Sequence, residues 1–407
     1  MAVDIVGREE EVAALHAFFE RAGEGPASIV LAGDAGIGKS ILWLAGVEAA
    51  RERSLRVLGA RPAEAEQGLA HAGLGDLLGD CAAEVLPELS PPRRRALEAA
   101  LLLGGDDDGA TADPRALAVA VYSALVALAE RDPVVIAIDD VQWLDASSAA
   151  ALAFALRRLE REPVRVLLAR RGDQISTLEL TLPGAVEHVS VGPLSLGAVQ
   201  GVIRDRLGRL VPRPTLLRLH EVSGGNPFYA LELARALETV ADPLGPGQPL
   251  PVPDSLEQLV GERLGALPEE TRAALLVVAV VGAPPLALVE AAGIHTQTLA
   301  PAVEAQVLDL AHGEVRFVHP LLASAVIAGA TEAERRTAHR LVAAVVDEPV
   351  RRARHLAAAL EEPDAEIARL LEDAAGLARA RGAPAVAAEL GEAAGRFTPA
   401  EIGRAHV

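Results

Sequence analysis

The sequence predicts an α/β fold, with a parallel β-sheet covered by helices on both faces and followed by mainly helical domains. Short apolar runs alternate with segments of helical periodicity, which is typical of a parallel sheet joined by helices. The predicted strands lie near residues 27–32, 54–59, 134–139, 164–169 and 187–191. With 407 residues, 51% of them hydrophobic and only 2% aromatic, the chain can form two or three domains packed by small aliphatic side chains.

The composition argues against several classes of protein. A net charge of −19 argues against direct nucleic-acid binding, because there is no basic surplus to neutralise phosphates. The single cysteine, Cys81, cannot form an internal disulfide, which favours a reducing compartment. The N-terminus lacks a signal-peptide pattern, and the longest apolar run, residues 273–289, is too short to span a membrane. We therefore expect a cytoplasmic protein with no membrane partner.

The segment GDAGIGKS, residues 33–40, fits the phosphate-binding pattern G-x-x-x-x-G-K-[ST]. It lies between a predicted strand and a predicted helix, an arrangement that directs backbone N–H groups at a phosphate. Lys39 would reach the β- and γ-phosphates of ATP, and the Ser40 hydroxyl would bind Mg²⁺. The alternative is a chance glycine turn. The predicted nucleotide contacts in this loop are Gly33, Asp34, Ala35, Gly36, Ile37, Gly38, Lys39, Ser40 and Ile41.

Lys39 is the only lysine among the 38 basic residues of the chain. Its ammonium group is a compact point charge on a flexible stem, whereas a guanidinium group is a broad planar fork. A chain that otherwise uses arginine would still need lysine in a tight phosphate cradle. This single lysine therefore supports the assignment of the loop as a P-loop.

The segment PVVIAIDDVQWLD, residues 133–145, predicts a buried strand that ends in two carboxylates. We expect Asp139 to lie on the metal side of a bound nucleotide and to act through Mg²⁺-bound water. Asp140 is the candidate base for the attacking water. The alternative is that the two carboxylates only form the solvated end of a strand.

The next predicted strand ends in Arg170 and Arg171. An arginine at this position can contact the γ-phosphate, and Arg171 is the candidate. The sequence leaves open which of the two points inward, or whether both are solvated.

The second half of the chain is predicted to be mainly helical. A helix follows a glycine turn at residues 224–225, and a proline-rich break spans residues 241–255. Two further helices, a hairpin-like stretch and another helix then predict a winged-helix module. The expected divisions are a P-loop core (1–192), a helical lid (193–245), a winged-helix-like domain (246–345) and the start of helical repeats (346–400).

These motifs resemble the signal-transduction ATPases with numerous domains, specifically the large ATP-binding regulators of LuxR type found in actinobacteria. The resemblance covers nearly the whole chain, through VGREEEV, SGGNPFYALELARAL, RFVHPLLASAV and the tetratricopeptide-like RRARHLAAAL. It implies that the adenine lies against the opening motif and that the lid motif lies near the base. It also implies that His319 approaches the β-phosphate of ADP, although a histidine in this setting is as often a packed residue. The residues concerned are Val6, Gly7, Arg8, Gly225, Asn226, Pro227 and His319.

The sensor domain and the C-terminal helix-turn-helix of this family are not recognised in the sequence. Residues 401–407, EIGRAHV, are similar to the translation of a sequencing adapter. We therefore expect a truncated reading frame with an artefactual tail, the alternative being a natural tail. DNA would then be contacted only through the missing C-terminal domain.

The expected function is a nucleotide-dependent switch that binds ATP or ADP with Mg²⁺. ADP keeps core, lid and winged helix closed, and exchange for ATP, triggered by an unknown inducer, permits self-association. Slow hydrolysis resets the switch, and in full-length relatives the output is transcription activation. One alternative is an origin-recognition or DNA-remodelling ATPase, against which the net charge argues. Another is a small-molecule kinase, which would need an acceptor pocket.

Overall fold

The computed structural model describes residues 5–22, 25–103, 113–172, 175–237, 256–311, 313–360 and 362–398. Its centre is a five-stranded parallel sheet in the order β2-β3-β4-β1-β5. The predicted parallel sheet is confirmed, and every predicted strand lies within two residues of its expected bounds. The strands are β1 (Ala27–Gly33), β2 (Arg56–Ala60), β3 (Val134–Ile138), β4 (Val164–Arg171) and β5 (Ala185–Ser190).

Helices cover both faces of this sheet, as the alternation of strands and helices predicts. One face packs on α1 and α2, and the other packs on α3 to α7. All five residues of β3 are buried, and burial of each large aliphatic side chain contributes about 1.5–3 kcal/mol. The helices are α1 (Glu9–Glu20), α2 (Lys39–Glu52), α3 (Ala72–Leu78), α4 (Ala82–Val85), α5 (Pro91–Ala100), α6 (Pro114–Ala129) and α7 (Ala146–Leu156).

Three helices then form a small apolar cluster beside the glycine loop. They are α8 (Leu196–Leu207), α9 (Arg213–Ser223) and α10 (Pro227–Ala236). Gly224 and Gly225 adopt φ values of +58° and +74°, which favour glycine, and α10 begins after the capping residue Asn226 that follows them. The glycine turn and helix expected from the sequence are therefore present. We call α8–α10 the lid.

The next unit combines helices with an antiparallel hairpin, β6 to β7. Helices α11 to α15 and the hairpin share one apolar core, and α16 joins a second cluster on α12. The two helices and the hairpin-like stretch expected here are present, whereas the winged-helix assignment stays a prediction. The elements are α11 (Leu256–Gly265), α12 (Glu269–Val281), α13 (Leu286–Ala291), α14 (Thr296–Glu304), β6 (Leu308–Ala311), β7 (Glu314–Phe317), α15 (Pro320–Gly329) and α16 (Glu332–Val345).

The last described elements are helical, with an alanine-rich core. They are α17 (Pro349–Ala359), α18 (Ala365–Ala380) and α19 (Pro384–Phe397). No helix in the described ranges is long and apolar enough to cross a membrane. The proline-rich break at 241–255 and the expected tail at 401–407 lie outside the described residues.

Candidate functional site

The glycine loop leaves β1 at its carboxyl end and leads directly into α2. Gly36 and Gly38 adopt φ values of +78° and +108°, in the left-handed region that favours glycine. A Cβ atom at Gly36 would lie 2.9 Å from Phe228 Cβ, so the loop is pressed against α10. Among the described residues, no side chain caps the N-terminus of α2. Its first N–H groups can therefore serve an anionic ligand.

Lys39 lies inside this loop rather than on the surface. Its side chain is nearly buried, and Nζ donates to the main-chain carbonyl of Asp34 at 2.7 Å. Burial lowers the pKa of Lys39, while the nearby carboxylates of Asp140 and Asp139 act in the opposite direction. The ammonium group is thus already positioned over the loop that would hold a phosphate.

Asp139 follows β3 directly and is almost fully buried. Its carboxylate accepts hydrogen bonds from the Ser40 side chain and, at 3.0 Å, from the N–H of Asp140. Burial, reinforced by the neighbouring Asp140 carboxylate, raises the pKa of Asp139 to about 6. Arg61 Nε lies 3.7 Å from Asp139 Oδ2 and opposes this shift.

The pair of Ser40 and Asp139 fits Mg²⁺ in its chemistry. Hydroxyl and carboxylate oxygens are hard ligands, and a buried carboxylate next to a second acid is stabilised by a cation. No group of three or more His, Cys, Asp or Glu side chains in the described part of the chain could hold a metal by itself.

Asp140 is held by two side chains. Its main chain has φ +46°, and its Oδ1 accepts hydrogen bonds from Gln142 Nε2 at 2.7 Å and Arg171 Nε at 3.3 Å. The guanidinium group of Arg171 also lies over the Trp143 ring, 4.2 Å from its centroid. The carboxylate therefore has a fixed orientation beside the glycine loop.

The two arginines that end β4 point to different places. Arg170 forms a buried ion pair with Glu179, with 3.0 Å between Nε and Oε2. Arg171 instead contacts Asp140 and lines a cavity of about 1540 Å³ that also includes Lys39, Ser40 and Asp139. The structure thus answers which arginine faces the candidate site, while contact of Arg171 with a γ-phosphate stays a prediction.

Arg8 connects the opening motif to the glycine loop. It is buried, and its Nη2 donates to the carbonyls of Ile37 at 2.8 Å and Gly192 at 2.7 Å. Glu11 accepts from Nη1 at 2.9 Å. Arg8 therefore ties the glycine loop to the opening motif and to Gly192.

Val6 and Gly7 pack against the lid. A Cβ atom at Gly7 would lie 2.4 Å from Ala198 Cβ, and Val6 shares an apolar cluster with lid residues. Val6, Leu194, Val202 and Leu231 line the cavity and give it an apolar wall. The predicted adenine contact would use this wall.

The lid motif contacts the glycine loop directly. Asn226 Nδ2 donates to the carbonyl of Ala35 at 2.9 Å, and its Oδ1 accepts from the N–H groups of Phe228 and Tyr229. The carbonyl of Gly225 accepts from Leu194 N, and Pro227 lines the cavity. Asn226 therefore caps α10 and braces the P-loop with the same amide. Its expected place near the base stays a prediction.

His319 lies between β7 and α15 and faces the site. Its ring stacks on Phe228, with centroids 4.1 Å apart and planes at 20°. Burial, together with the charges of Arg171 and Lys39, lowers the pKa of His319 to about 3. The imidazole is therefore neutral near pH 7 and has one N–H to donate. His319 lines the same cavity as Lys39. Its contact with a β-phosphate stays a prediction.

Comparison with known proteins agrees with this geometry. Residues 4–168 match the AAA ATPase domain family. Over 98% of its length the chain is similar to the crystal structure of a Signal Transduction ATPase with Numerous Domains that has a tetratricopeptide repeat sensor, from Pyrococcus horikoshii. The TM-score is 0.58 at 14% identity, which shows the shared fold, and the chain covers 60% of that protein's length. No curated protein matches the chain.

Two further structures are less similar. The Walker-type ATPase of Pyrococcus abyssi has 17% identity and a TM-score of 0.39, with 80% of this chain and 96% of that chain covered. Cdc6p from Pyrobaculum aerophilum has 12% identity and a TM-score of 0.39, with 81% and 95% covered. Both scores are too low to support an inference about function. The name ATPase domain below refers to the segment that matches the AAA ATPase domain family, residues 4–168.

The double role of Asn226 leads to a stability prediction. Asn226→Ala should lower the free energy of unfolding by about 1–3 kcal/mol, because it removes a helix cap and the bond to Ala35. The control is Ser195→Ala, which removes the cap of α8 in the same lid. Only Asn226→Ala should also weaken nucleotide binding, as measured by calorimetry. Unchanged nucleotide affinity in that variant would mean that Asn226 does not brace the loop.

Sequence reasoning missed three residues of the site: Arg61, Gln142 and Phe228. Arg61 follows β2 at the same edge of the sheet as Asp139. Because ligands bind outside the carboxyl ends of parallel strands, this position could have indicated a site residue. Gln142 lies two residues after Asp140 and could have been considered as its partner. Nothing in the sequence indicates that Phe228 would stack on a histidine 91 residues away.

Proposed function

We propose that the chain is a nucleotide-dependent switch that binds ATP and ADP with Mg²⁺ and hydrolyses ATP slowly. The observation that supports this most is the convergence of Lys39, Ser40, Asp139 and Asp140 at the carboxyl edge of the sheet, in a domain that matches an ATPase family. Lys39 and the N-terminus of α2 would hold the phosphates. Ser40 and Asp139 would hold Mg²⁺, which neutralises charge on the phosphates.

Hydrolysis in this proposal depends on Asp140 and Arg171. Asp140 would accept a proton from the attacking water, and Gln142 keeps its carboxylate oriented. Arg171 lies beside it and would stabilise charge on the γ-phosphate oxygens. The apolar wall that includes Val6 and Leu231 would hold the base.

The lid and the following unit, which combines α11–α16 with the β6–β7 hairpin, would report which nucleotide is bound. Asn226 and Phe228 tie α10 to the P-loop, and His319 packs on Phe228. With ADP bound, an N–H···O bond from His319 to the β-phosphate would keep these units closed. Exchange for ATP, triggered by an inducer, would release them and allow self-association.

As part of a LuxR-type regulator, a cytoplasmic chain of this kind would control transcription through a DNA-binding domain beyond these residues. The net charge of −19 supports a role in which this part does not bind DNA itself. The basic test is calorimetric titration of the chain with ATP and ADP, with and without Mg²⁺, combined with phosphate release. Binding of neither nucleotide would contradict the proposal.

His319 provides a sharper test of the switch. His319→Ala should weaken ADP binding about 10- to 100-fold more than ATP binding, because a hydrogen bond to a charged group contributes about 1.5–3 kcal/mol. The matched control is His319→Phe, which keeps an aromatic ring on Phe228 and removes the N–H donor. Both variants should lower the ratio of ADP affinity to ATP affinity relative to the wild type. If the ratio of ADP to ATP affinity stays at the wild-type value, His319 only packs.

A further inference from the structure

A buried histidine links the ATPase domain to the C-terminal helices. His71, at the start of α3, is 2% exposed, and its Nε2 lies 2.8 Å from the main-chain oxygen of Arg381. Arg381 follows α18 in the turn before α19. A carbonyl oxygen can only accept, so Nε2 carries the proton and donates it. Burial lowers the pKa of His71, which keeps the ring neutral with this single N–H.

The main chain around His71 is held by Asp145 and Ser148, in the segment that follows Asp139 and Asp140. Asp145 accepts hydrogen bonds from the N–H groups of His71 and Gly73, each at 3.0 Å. Ser148 Oγ accepts from Leu74 N at 2.9 Å, and both Asp145 and Ser148 are buried. The N-terminus of α3 is therefore capped by side chains at the start of α7 instead of by its own residues.

The residues just before His71 also contact both the loop of Asp140 and the C-terminal helices. Gln67 Nε2 donates to the carbonyl of Gln142 at 2.8 Å, on the loop of Asp140. Gly68 lies against Arg354 of α17, so closely that a Cβ atom there would be 1.7 Å from Nη1. Ala70 packs on the apolar cluster of α17–α19. We call residues Gln67–Gly73 the joint segment.

The joint segment is maintained at an energetic cost. His71 has φ +63°, which is uncommon for a residue with a side chain. Its Nδ1 is buried and has no hydrogen-bond partner in the part of the chain that the structure describes. Strained backbone persists only where the surroundings determine it, and it is enriched at switch elements. An unpaired buried nitrogen in the same residue calls for a similar explanation.

We propose that His71 is a positioning residue that docks helices α17–α19 on the ATPase domain, and that the joint segment couples this docking to the loop of Asp139 and Asp140. If α17–α19 move, the hydrogen bond to Arg381 pulls on the side chain of His71, while Asp145 still accepts from its main-chain N–H. The displacement would then reach the acids through Asp145 and Gln142. Docking stands on the contacts described above, whereas coupling rests on the nucleotide switch proposed for this site.

Docking is tested by hydrogen–deuterium exchange on the full chain without nucleotide. His71→Asn tolerates the left-handed backbone but is too short to reach the Arg381 carbonyl. Amides of residues 365–397 should exchange about tenfold faster, the effect of one buried hydrogen bond, with α7 unchanged. The control is His295→Asn at an exposed helix start. Wild-type exchange across residues 365–397 would overturn the docking role.

A second variant keeps docking testable if His71→Asn folds poorly. Ala70→Glu leaves His71 in place but puts a carboxylate against the apolar cluster of α17–α19. It should also accelerate exchange in residues 365–397 at least about tenfold. Protected amides in this variant would contradict the proposed interface.

Coupling is tested by nucleotide kinetics. In His71→Asn, ADP release and steady-state phosphate production should rise at least about threefold, with ATP affinity unchanged. Combined with Asp145→Ala, which removes the acceptor of the His71 main-chain N–H, the effects should be non-additive, because the proposed displacement passes through that hydrogen bond. Faster exchange with wild-type nucleotide kinetics would overturn coupling and retain docking. A wild-type chain that binds no nucleotide would refute the proposed function, while the nucleotide-free exchange result would still decide docking.

Discussion

Lys39→Ala is expected to remove detectable binding of both ATP and ADP, a loss of at least about a hundredfold in affinity. Lys39 is the only lysine of the chain, and its ammonium group lies inside the loop, 2.7 Å from the Asp34 carbonyl. Each hydrogen bond between charged groups contributes about 1.5–3 kcal/mol, and this side chain would make more than one to the phosphates. Calorimetry with each nucleotide measures the loss.

Two controls make this result specific. Lys39→Arg keeps the charge but replaces a compact ammonium group with a planar fork, so it should also bind poorly. Arg51→Ala removes an exposed cation from the same helix and should bind normally. Normal affinity in Lys39→Ala, with native circular dichroism, would show that the loop is not a P-loop.

Asp140→Asn should retain ATP and lower the rate of phosphate release by about 10²–10⁴-fold, the usual contribution of a general base. Asparagine keeps an oxygen that can accept from Gln142 and Arg171, so the loop geometry should persist. The variant removes the negative charge and with it the capacity to take a proton at this position. Single-turnover hydrolysis of bound ATP is the appropriate measurement.

Asp139→Asn is the matched comparison, because it changes the neighbouring acid. This variant should weaken the Mg²⁺-dependent part of ATP affinity, since Asp139 and Ser40 offer the oxygens for the metal. If Asp140→Asn hydrolyses ATP at the wild-type rate, another residue must position the attacking water. If the two variants have the same phenotype, the assignment of separate roles is wrong.

The local motifs could be predicted from the sequence, because each of them depends only on the residues of one continuous segment. The glycine loop needs only its own residues and the strand and helix beside it, and the strands follow from apolar runs. The order β2-β3-β4-β1-β5 brings the ends of β1, β3 and β4 together, so the expected proximity of Lys39, Asp139 and Arg171 followed from the fold class.

The long-range contacts could not be predicted in this way. Arg170 and Arg171 are adjacent on β4 and so point to opposite faces of the sheet, but which of them faces the site depends on tertiary packing, in which Arg170 pairs with Glu179. The amide of Asn226 donates to a main-chain carbonyl of the P-loop 191 residues away, a contact that no local pattern indicates. His71 is one of ten histidines in the sequence, and its contact with Arg381 becomes visible only when the C-terminal helices are in place.

The positions of the two tryptophans give the chain an optical signal of its own. Trp143 lies under the guanidinium group of Arg171, and Trp43, on α2, has the guanidinium group of Arg61 6.0 Å from its ring centroid. These are the only two indoles among the 407 residues, and both belong to the edge of the sheet that carries the acids. Indole emission depends on nearby charge, so any displacement of Arg61 or Arg171 alters the fluorescence of the unlabelled protein. Ultraviolet emission of the folded protein therefore also reports on this edge of the sheet.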